Sequence, residues 1–251
     1  LNMVKKIVGT GVLLVLALAL QAGVKMYTLK SPDGKVKLEV TAGQGIAYSL
    51  FYDGRLLLKP SRIALHTDLP EADHWENIRI TGTKQRHVSE TVQAPFYRVK
   101  EFGIDCNELE LRLNNGFLLL MRAYNDGMAY RFVAGRKGEM TVVEERAEFN
   151  FADDFEAYIP YSTNPKDPWN MAFQNFYTKA PLTQYNTELP AFLPLTVNAG
   201  AVKLTLLESD LEAYPGMFVC GDGKTPALKG VFAAYPQETF KNKWRCQETV
   251  K

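Results

Sequence analysis

The sequence predicts an all-β fold, an antiparallel β-sandwich. Three observations carry this: short runs alternating polar and apolar residues, Asn-Gly and Asp-Gly turns between them, and little helical periodicity after the first two dozen residues. The turn Ser31-Pro32-Asp33-Gly34 leads into Lys35–Val40, which alternates strictly. Tyr48–Tyr52 and Arg55–Leu58 flank Asp53-Gly54, a two-residue hairpin signal. Leu109–Leu113 alternates, and Asn114-Asn115-Gly116 turns it into Phe117–Arg122. Asn125-Asp126-Gly127 then leads into Met128–Phe132. Further strands are expected near Thr141–Phe151, Phe192–Val197 and Val202–Glu208. Many short strands joined by such turns favour a sandwich or barrel, and no fixed-period repeat is visible. Two stretches depart from this pattern. Pro160–Pro190 is rich in Pro, Asn, Tyr and Trp without alternation, as expected of a functional loop or lid. Lys241–Lys251 is polar apart from Trp244, either a frayed terminus or the start of a linker.

The chain of 251 residues is 46% hydrophobic, which excludes disorder, and its net charge of +1 gives no reason to expect a nucleic-acid partner. Met3-Val4-Lys5-Lys6, the apolar run Ile7–Leu20 and the small residues up to Ala22 have the layout of a secretory signal peptide over residues 1–23. The apolar run is shorter than the ~20 residues of a spanning helix, so stable membrane insertion is not expected and a periplasmic or secreted location is. Loss of Lys5 and Lys6 would take the charge from +1 to −1. Cys106, Cys220 and Cys246 fit no metal motif; isolated core thiols and one disulfide plus a free thiol are both open.

Signals for chemistry are sparse. Glu144-Glu145 and Asp153-Asp154 are adjacent acids, which point to opposite faces on a strand, and Asp105/Glu108 is no better placed as the dyad a glycosidase needs. His66, His74 and His87 share no metal spacing, and no nucleophile elbow or phosphate loop is present. The segment Trp169–Tyr177 is richer. Trp169, Phe173, Phe176 and Tyr177 sit near Asn164, Asn170, Gln174 and Asn175. Aromatic faces beside amides suit stacking on sugar C–H faces and bonding to hydroxyls; the same composition also suits a loop pinned by buried aromatics.

The order of these motifs resembles the N-terminal domain of glycoside hydrolase family 97, the Bacteroides-type α-glucosidases and α-galactosidases. The resemblance rests on Ser31–Lys35, Tyr52-Asp53-Gly54 with Pro60-Ser61, Asn125–Phe132, Glu148–Phe151, Tyr158-Ile159-Pro160, Tyr177-Thr178, Pro194-Leu195-Thr196, Glu208–Leu211, Tyr214–Met217 and Trp244-Arg245. It spans nearly all of the chain after the signal.

The resemblance implies a galactose-mutarotase-like supersandwich over residues 24–240. Residues 241–251 would begin a linker to a (β/α)₈ catalytic domain, of whose alternating βα pattern this sequence shows nothing. It implies an accessory domain of an exported α-glycosidase, packed on that barrel and closing its active site with the 160–190 loop. The substrate would be an α-linked glucoside or galactoside oligosaccharide, held with the help of Trp169, Asn170, Phe173, Asn175 and Tyr177. No catalytic acid, base or nucleophile is expected within these residues. It also implies an active-site calcium in the full-length enzyme, most of whose carboxylate ligands belong to the barrel. One family ligand is a Glu in a Glu-x-x-Tyr-Thr pattern, and here Gln174 occupies that position, with Glu188 as the alternative ligand on the same loop. No calcium binding is expected for this chain alone. The other open readings are a stand-alone carbohydrate-binding sandwich without catalytic activity, and a structural or adhesion sandwich.

Overall fold

A computed structural model describes residues 25–135, 137–169, 175–212 and 214–234, and the backbone of 238–241 and 246–249. The chain divides into two compact units, one formed by residues up to 56 and 62–144, the other by 57–61 and 145 onward. Every described strand pairing is antiparallel. The one described helix is a single 3₁₀ turn, and no described helix is long and apolar enough to cross a membrane.

In the first unit, β1 (Lys25–Lys30), β2 (Val36–Gly43), β3 (Gly45–Tyr52) and β4 (Arg55–Thr67) form a meander. A second meander comprises β5 (Ile80–Gln93), β6 (Glu101–Leu113), β7 (Phe117–Tyr124) and β8 (Gly127–Ala134). β1 and β2 pack on β6 and β7, so this unit is a sandwich. The strict alternation on β2 and β7 places Leu38, Val40, Leu119 and Met121 inside, with Ile46 of β3 and Leu109 and Leu111 of β6. Each such side chain contributes about 1.5–3 kcal/mol by leaving water. Trp75, Phe117, Phe132, Tyr130 and Tyr48 extend the core as a chain of rings 5.3–6.3 Å apart. The Trp75 indole N–H donates to Leu65 O at 3.1 Å, which satisfies its only donor.

The turns follow the sequence. Asp53 and Gly54 both take positive φ (48° and 78°), the geometry a two-residue hairpin requires. Asp33 caps the first turn by accepting from Ser31 Oγ and Lys35 N, which holds its carboxyl below the ordinary range.

In the second unit, β9 (Val142–Asn150) joins β15 (Ala227–Phe232), which pairs with β14 (Met217–Gly221). Residues 57–61 of β4 lie beside β9, through the Leu58–Phe151 bridge and the bond from Asn150 N to Ser61 Oγ. A second sheet has the order β11 (Thr178–Pro181), β10 (Glu156–Ile159), β12 (Leu195–Ala199), β13 (Val202–Leu206). β16 (Glu238–Lys241) and β17 (Cys246–Thr249) pair antiparallel where the sequence suggests only a polar tail. β11 and the 3₁₀ turn Leu182–Gln184 lie inside the segment expected to be loop. Cys106 and Cys220 are free thiols, and burial raises the pKa of both; the Cys246 side chain lies outside the described residues.

Several acids, among them Glu108, Asp105, Asp154 and Glu145 singled out in the sequence, have structural partners. Glu108 is buried between Arg86 and Arg122, with both contacts at 2.7 Å. Burial pushes its carboxyl up, but the two guanidinium bonds outweigh burial and hold it below the ordinary range. Asp105 meets His87 at 3.1 Å, and Asp73 meets His66 at 2.7 Å. Asp154 accepts from Thr183 N and Oγ1. Glu144 is exposed while Glu145, on the other face of β9, accepts from Tyr214 Oη at 2.7 Å.

Candidate carbohydrate-facing site

β10 ends at Ile159 and the chain leaves the sheet at Pro160, which cannot donate to a ladder. It re-enters that sheet as β11 and comes back beside its own starting point at Pro190. The two ends are joined by backbone bonds from Ser162 N to Pro190 O (2.8 Å) and from Phe192 N to Pro160 O (3.0 Å), and Ala191 bridges both Tyr161 and Val219. The loop is therefore closed at its base.

Above that base, aromatic side chains form a run. Trp169 stands edge-on to Phe218 of β14 (centroids 4.9 Å, interplanar 84°). Phe218 packs with Phe192 and Val231. Phe192 in turn meets Tyr177 at 6.4 Å, edge to face. Trp169 and Tyr177 keep part of their surface in solvent, and Phe176 is 94% exposed. Asn175 is exposed and braces the loop: its Nδ2 donates to Tyr161 O (2.9 Å) and its Oδ1 accepts from Phe176 N (2.8 Å). Tyr177 Oη donates to Pro194 O at 3.3 Å.

The far side of the loop hangs on Tyr185. Its ring is 3% exposed and lies 5.0 Å from Tyr161. Its hydroxyl lies 2.7 Å from Val219 O and 3.0 Å from Leu189 O and shares its one proton between the two carbonyls. Burial raises the pKa of Tyr185 and Tyr161, so both remain neutral donors and acceptors. Tyr161 Oη accepts from Asn186 N at 2.7 Å, and Asn186 Oδ1 accepts from Glu188 N at 3.1 Å, which leaves Glu188 exposed at the loop surface.

Of the residues the sequence points to, Trp169 and Tyr177 join one aromatic run, Asn175 serves as a loop brace and Glu188 is exposed on the returning limb. Asn170, Phe173 and Gln174 lie outside the described residues. Phe192, Phe218, Tyr161 and Tyr185 were missed by sequence reasoning, because they sit on separate strands and limbs with no local pattern linking them. Among the described residues no group of three or more His, Cys, Asp and Glu side chains could hold a metal ion. One exposed carboxylate is a poor fit for a calcium cage, which takes six to eight oxygens, so these residues do not make one by themselves.

A domain of antiparallel sheets carrying an aromatic-lined loop is the class that fold and loop define. The family model described as Glycosyl-hydrolase 97 N-terminal matches residues 29–248, and the chain belongs to that family. It is 39% identical over 229 residues to a retaining alpha-galactosidase of Bacteroides thetaiotaomicron, a match covering 88% of this chain and 34% of that protein. It is 26% identical over 158 residues to a probable retaining alpha-galactosidase of Streptomyces bingchenggensis, covering 61% and 24%. Among solved structures it resembles a glycoside hydrolase family 97 enzyme of Pseudoalteromonas sp. strain K8 in complex with panose (TM-score 0.69, 18% identity, 82% of this chain and 32% of that one). A beta-arabinopyranosidase aligns equally well (TM-score 0.69, 20% identity, 83% and 35%). The chain thus spans about a third of the length of the Bacteroides thetaiotaomicron relative. These structural likenesses show the fold.

Proposed function

We propose that this chain is the accessory N-terminal domain of an exported α-glycosidase, packed on a catalytic (β/α)₈ barrel whose carbohydrate site it closes with the 160–190 loop. The observation that carries this is the loop itself: a segment closed at its base that presents Trp169, Phe176 and Tyr177 to solvent, in a chain of the glycosyl-hydrolase 97 N-terminal family. Edge-to-face packing on Phe218 and Phe192 orients Trp169 and Tyr177 before any ligand arrives, so ordering them costs little on binding. The substrate is an α-linked galactoside or glucoside, in line with the two relatives named as α-galactosidases. Bond cleavage is assigned to the barrel, and the described carboxylates Glu108, Asp154 and Glu145 are committed to structural bonds. Calcium, with Gln174 or Glu188 as this domain's ligand, belongs to the longer enzyme in this reading.

Exposure of Phe176 and Tyr177 in the chain itself favours one second reading, a stand-alone carbohydrate-binding sandwich. Kinetics of the full-length enzyme with Trp169→Ala and Tyr177→Ala test the first reading. An increase in KM of about tenfold with kcat little changed is expected of groups that bind substrate and transition state alike. Unchanged kinetics, with glycan binding by the isolated chain lost in the same variants, would favour the second.

A further inference from the structure

The pairing of β5 with β6 runs without a break from Thr83–Leu111 to Gln93–Glu101. β7 stops pairing with β6 at Cys106–Tyr124. The five outermost pairs, Ser89–Asp105 to Gln93–Glu101, are therefore a two-stranded ribbon with no third strand among the described residues. At about 3.4 Å per residue the ribbon projects some 17 Å. Its tip is an ordered turn, closed by bonds from Ala94 N to Lys100 O (2.7 Å) and from Tyr97 N to Ala94 O (3.1 Å).

This arm is amphipathic. Cross-strand partners share a face, so Val92, Phe102 and Ile104 lie on one side with Glu90. Tyr97 folds onto Phe102 (centroids 5.5 Å) and extends the apolar stripe. Gln93, Glu101, Thr91, Ser89 and Asp105 take the other side, where Gln93 donates to Glu101. Phe96 at the tip is fully exposed and Tyr97 is 66% exposed. An isolated hairpin is marginal in water, and this one leaves Val92, Phe96, Tyr97 and Phe102 exposed together.

We infer that the β5–β6 arm is a docking element whose apolar face seats against the catalytic polypeptide that follows this domain in the parent enzyme. This rests on the reading of the chain as one domain of a longer glycosidase. Size argues for a tethered occupant. One ribbon face offers on the order of 200–300 Å², well short of the ~800 Å² per partner that a stable free complex buries. A contact so small holds only when the partner is covalently linked, at an effective concentration of roughly millimolar. The match to an N-terminal domain covering 34% of the curated α-galactosidase indicates such a partner. Its matching surface is an apolar pocket with an acidic rim, facing Arg98 and Lys100 beside the aromatic tip.

Trypsin reads this directly, because Arg98 and Lys100 are its cleavage sites. Cleavage at the tip should be at least about tenfold slower in the full-length parent than in this 251-residue chain, since docking removes the open state that a protease needs. Combining Val92→Gln with Phe102→Glu should restore fast cleavage in the parent and leave the rate in the 251-residue chain unchanged. Phe96→Ala with Tyr97→Ala should do the same at the tip, and Thr91→Glu on the polar face should leave protection intact. Equal cleavage in parent and chain overturns the inference, as does a gene encoding nothing beyond residue 251. Protection of the 251-residue chain that rises with its own concentration overturns it in favour of a second copy. Protection appearing only with vesicles of phosphatidylcholine and phosphatidylglycerol overturns it in favour of a lipid surface. A parent that hydrolyses α-glycosides with an unprotected tip loses the docking and keeps the proposed function; a protected parent without glycosidase activity does the reverse.

Discussion

Gly221 and Tyr185 make a quantitative test of how the 160–190 loop is fastened. A Cβ added at Gly221 would lie 2.7 Å from Tyr185 Cγ and 2.8 Å from its Cβ, inside van der Waals contact with the stiff part of the ring. Gly221 is not among the positive-φ positions, so Gly221→Ala carries no backbone strain and its cost is the clash alone. Overpacking of this kind costs about 1–3 kcal/mol. Tyr185→Ala removes a buried ring and should cost about 3–5 kcal/mol. Tyr185→Phe loses only the hydroxyl, about 1 kcal/mol, because Val219 O still accepts from Ala191 N at 2.9 Å. Tyr185→Ala removes the ring but keeps Cβ, 2.8 Å from the added methyl, so Gly221→Ala should cost less there than in the parent without becoming neutral, a coupling of about 1 kcal/mol. With Tyr185→Phe the ring stays, and the two costs should add. Urea unfolding followed by circular dichroism measures the parent and the five variants. Additivity in the Tyr185→Ala background would refute the claim that the ring fills the space a Gly221 side chain would need.

Glu145 is raised mainly by burial, then by the nearby Glu208 charge, against the opposing bond from Tyr214. A carboxyl whose folded pKa is raised stabilises the fold below the unfolded pKa and loses that contribution as pH rises through the folded value. Glu145→Gln, which keeps an acceptor for Tyr214, should therefore be more stable than the parent at pH 8, with the difference vanishing toward pH 4 in thermal melts. Glu108 has the opposite sign: its stabilisation is present at neutral pH and lost on acidification. Glu108→Ala should cost about 2 kcal/mol in denaturant, less than a fully buried pair because Arg86 is half-exposed. For the longer enzyme, calorimetry should show Gln174→Glu tightening calcium binding by adding a charged oxygen; loss of binding in Glu188→Gln with no effect of Gln174→Glu would transfer the role to Glu188. The 251-residue chain should not turn over aryl α-galactosides, and activity abolished by one carboxylate substitution within it would contradict the assignment of chemistry to the barrel.

Strand positions were legible where one face is buried. β2 and β7 alternate because every second residue faces a sheet, and Asp53-Gly54 declares its turn through two positive φ values. β5 was not legible: Thr81–Gln93 carries only Val88 and Val92 as apolar side chains, because both its faces are largely wet. β11 was hidden by its brevity and by Pro181 at its end. At the candidate site, local composition pointed to Trp169 and Tyr177. Their supports, Phe218 and Phe192, are brought there by pairing across the chain, which no window of sequence records.

The stitched base of the 160–190 loop separates the fate of its contents from that of the sheets. Bonds at 160–162 and 190–192 close the ladder whatever lies between them. Doubling the length of such a loop costs only about 0.6 kcal/mol in closure entropy. The segment is thus an exchangeable cassette: insertions, deletions or a grafted sequence between residues 163 and 175 can remodel the surface there while β10, β12 and β14 stay in register.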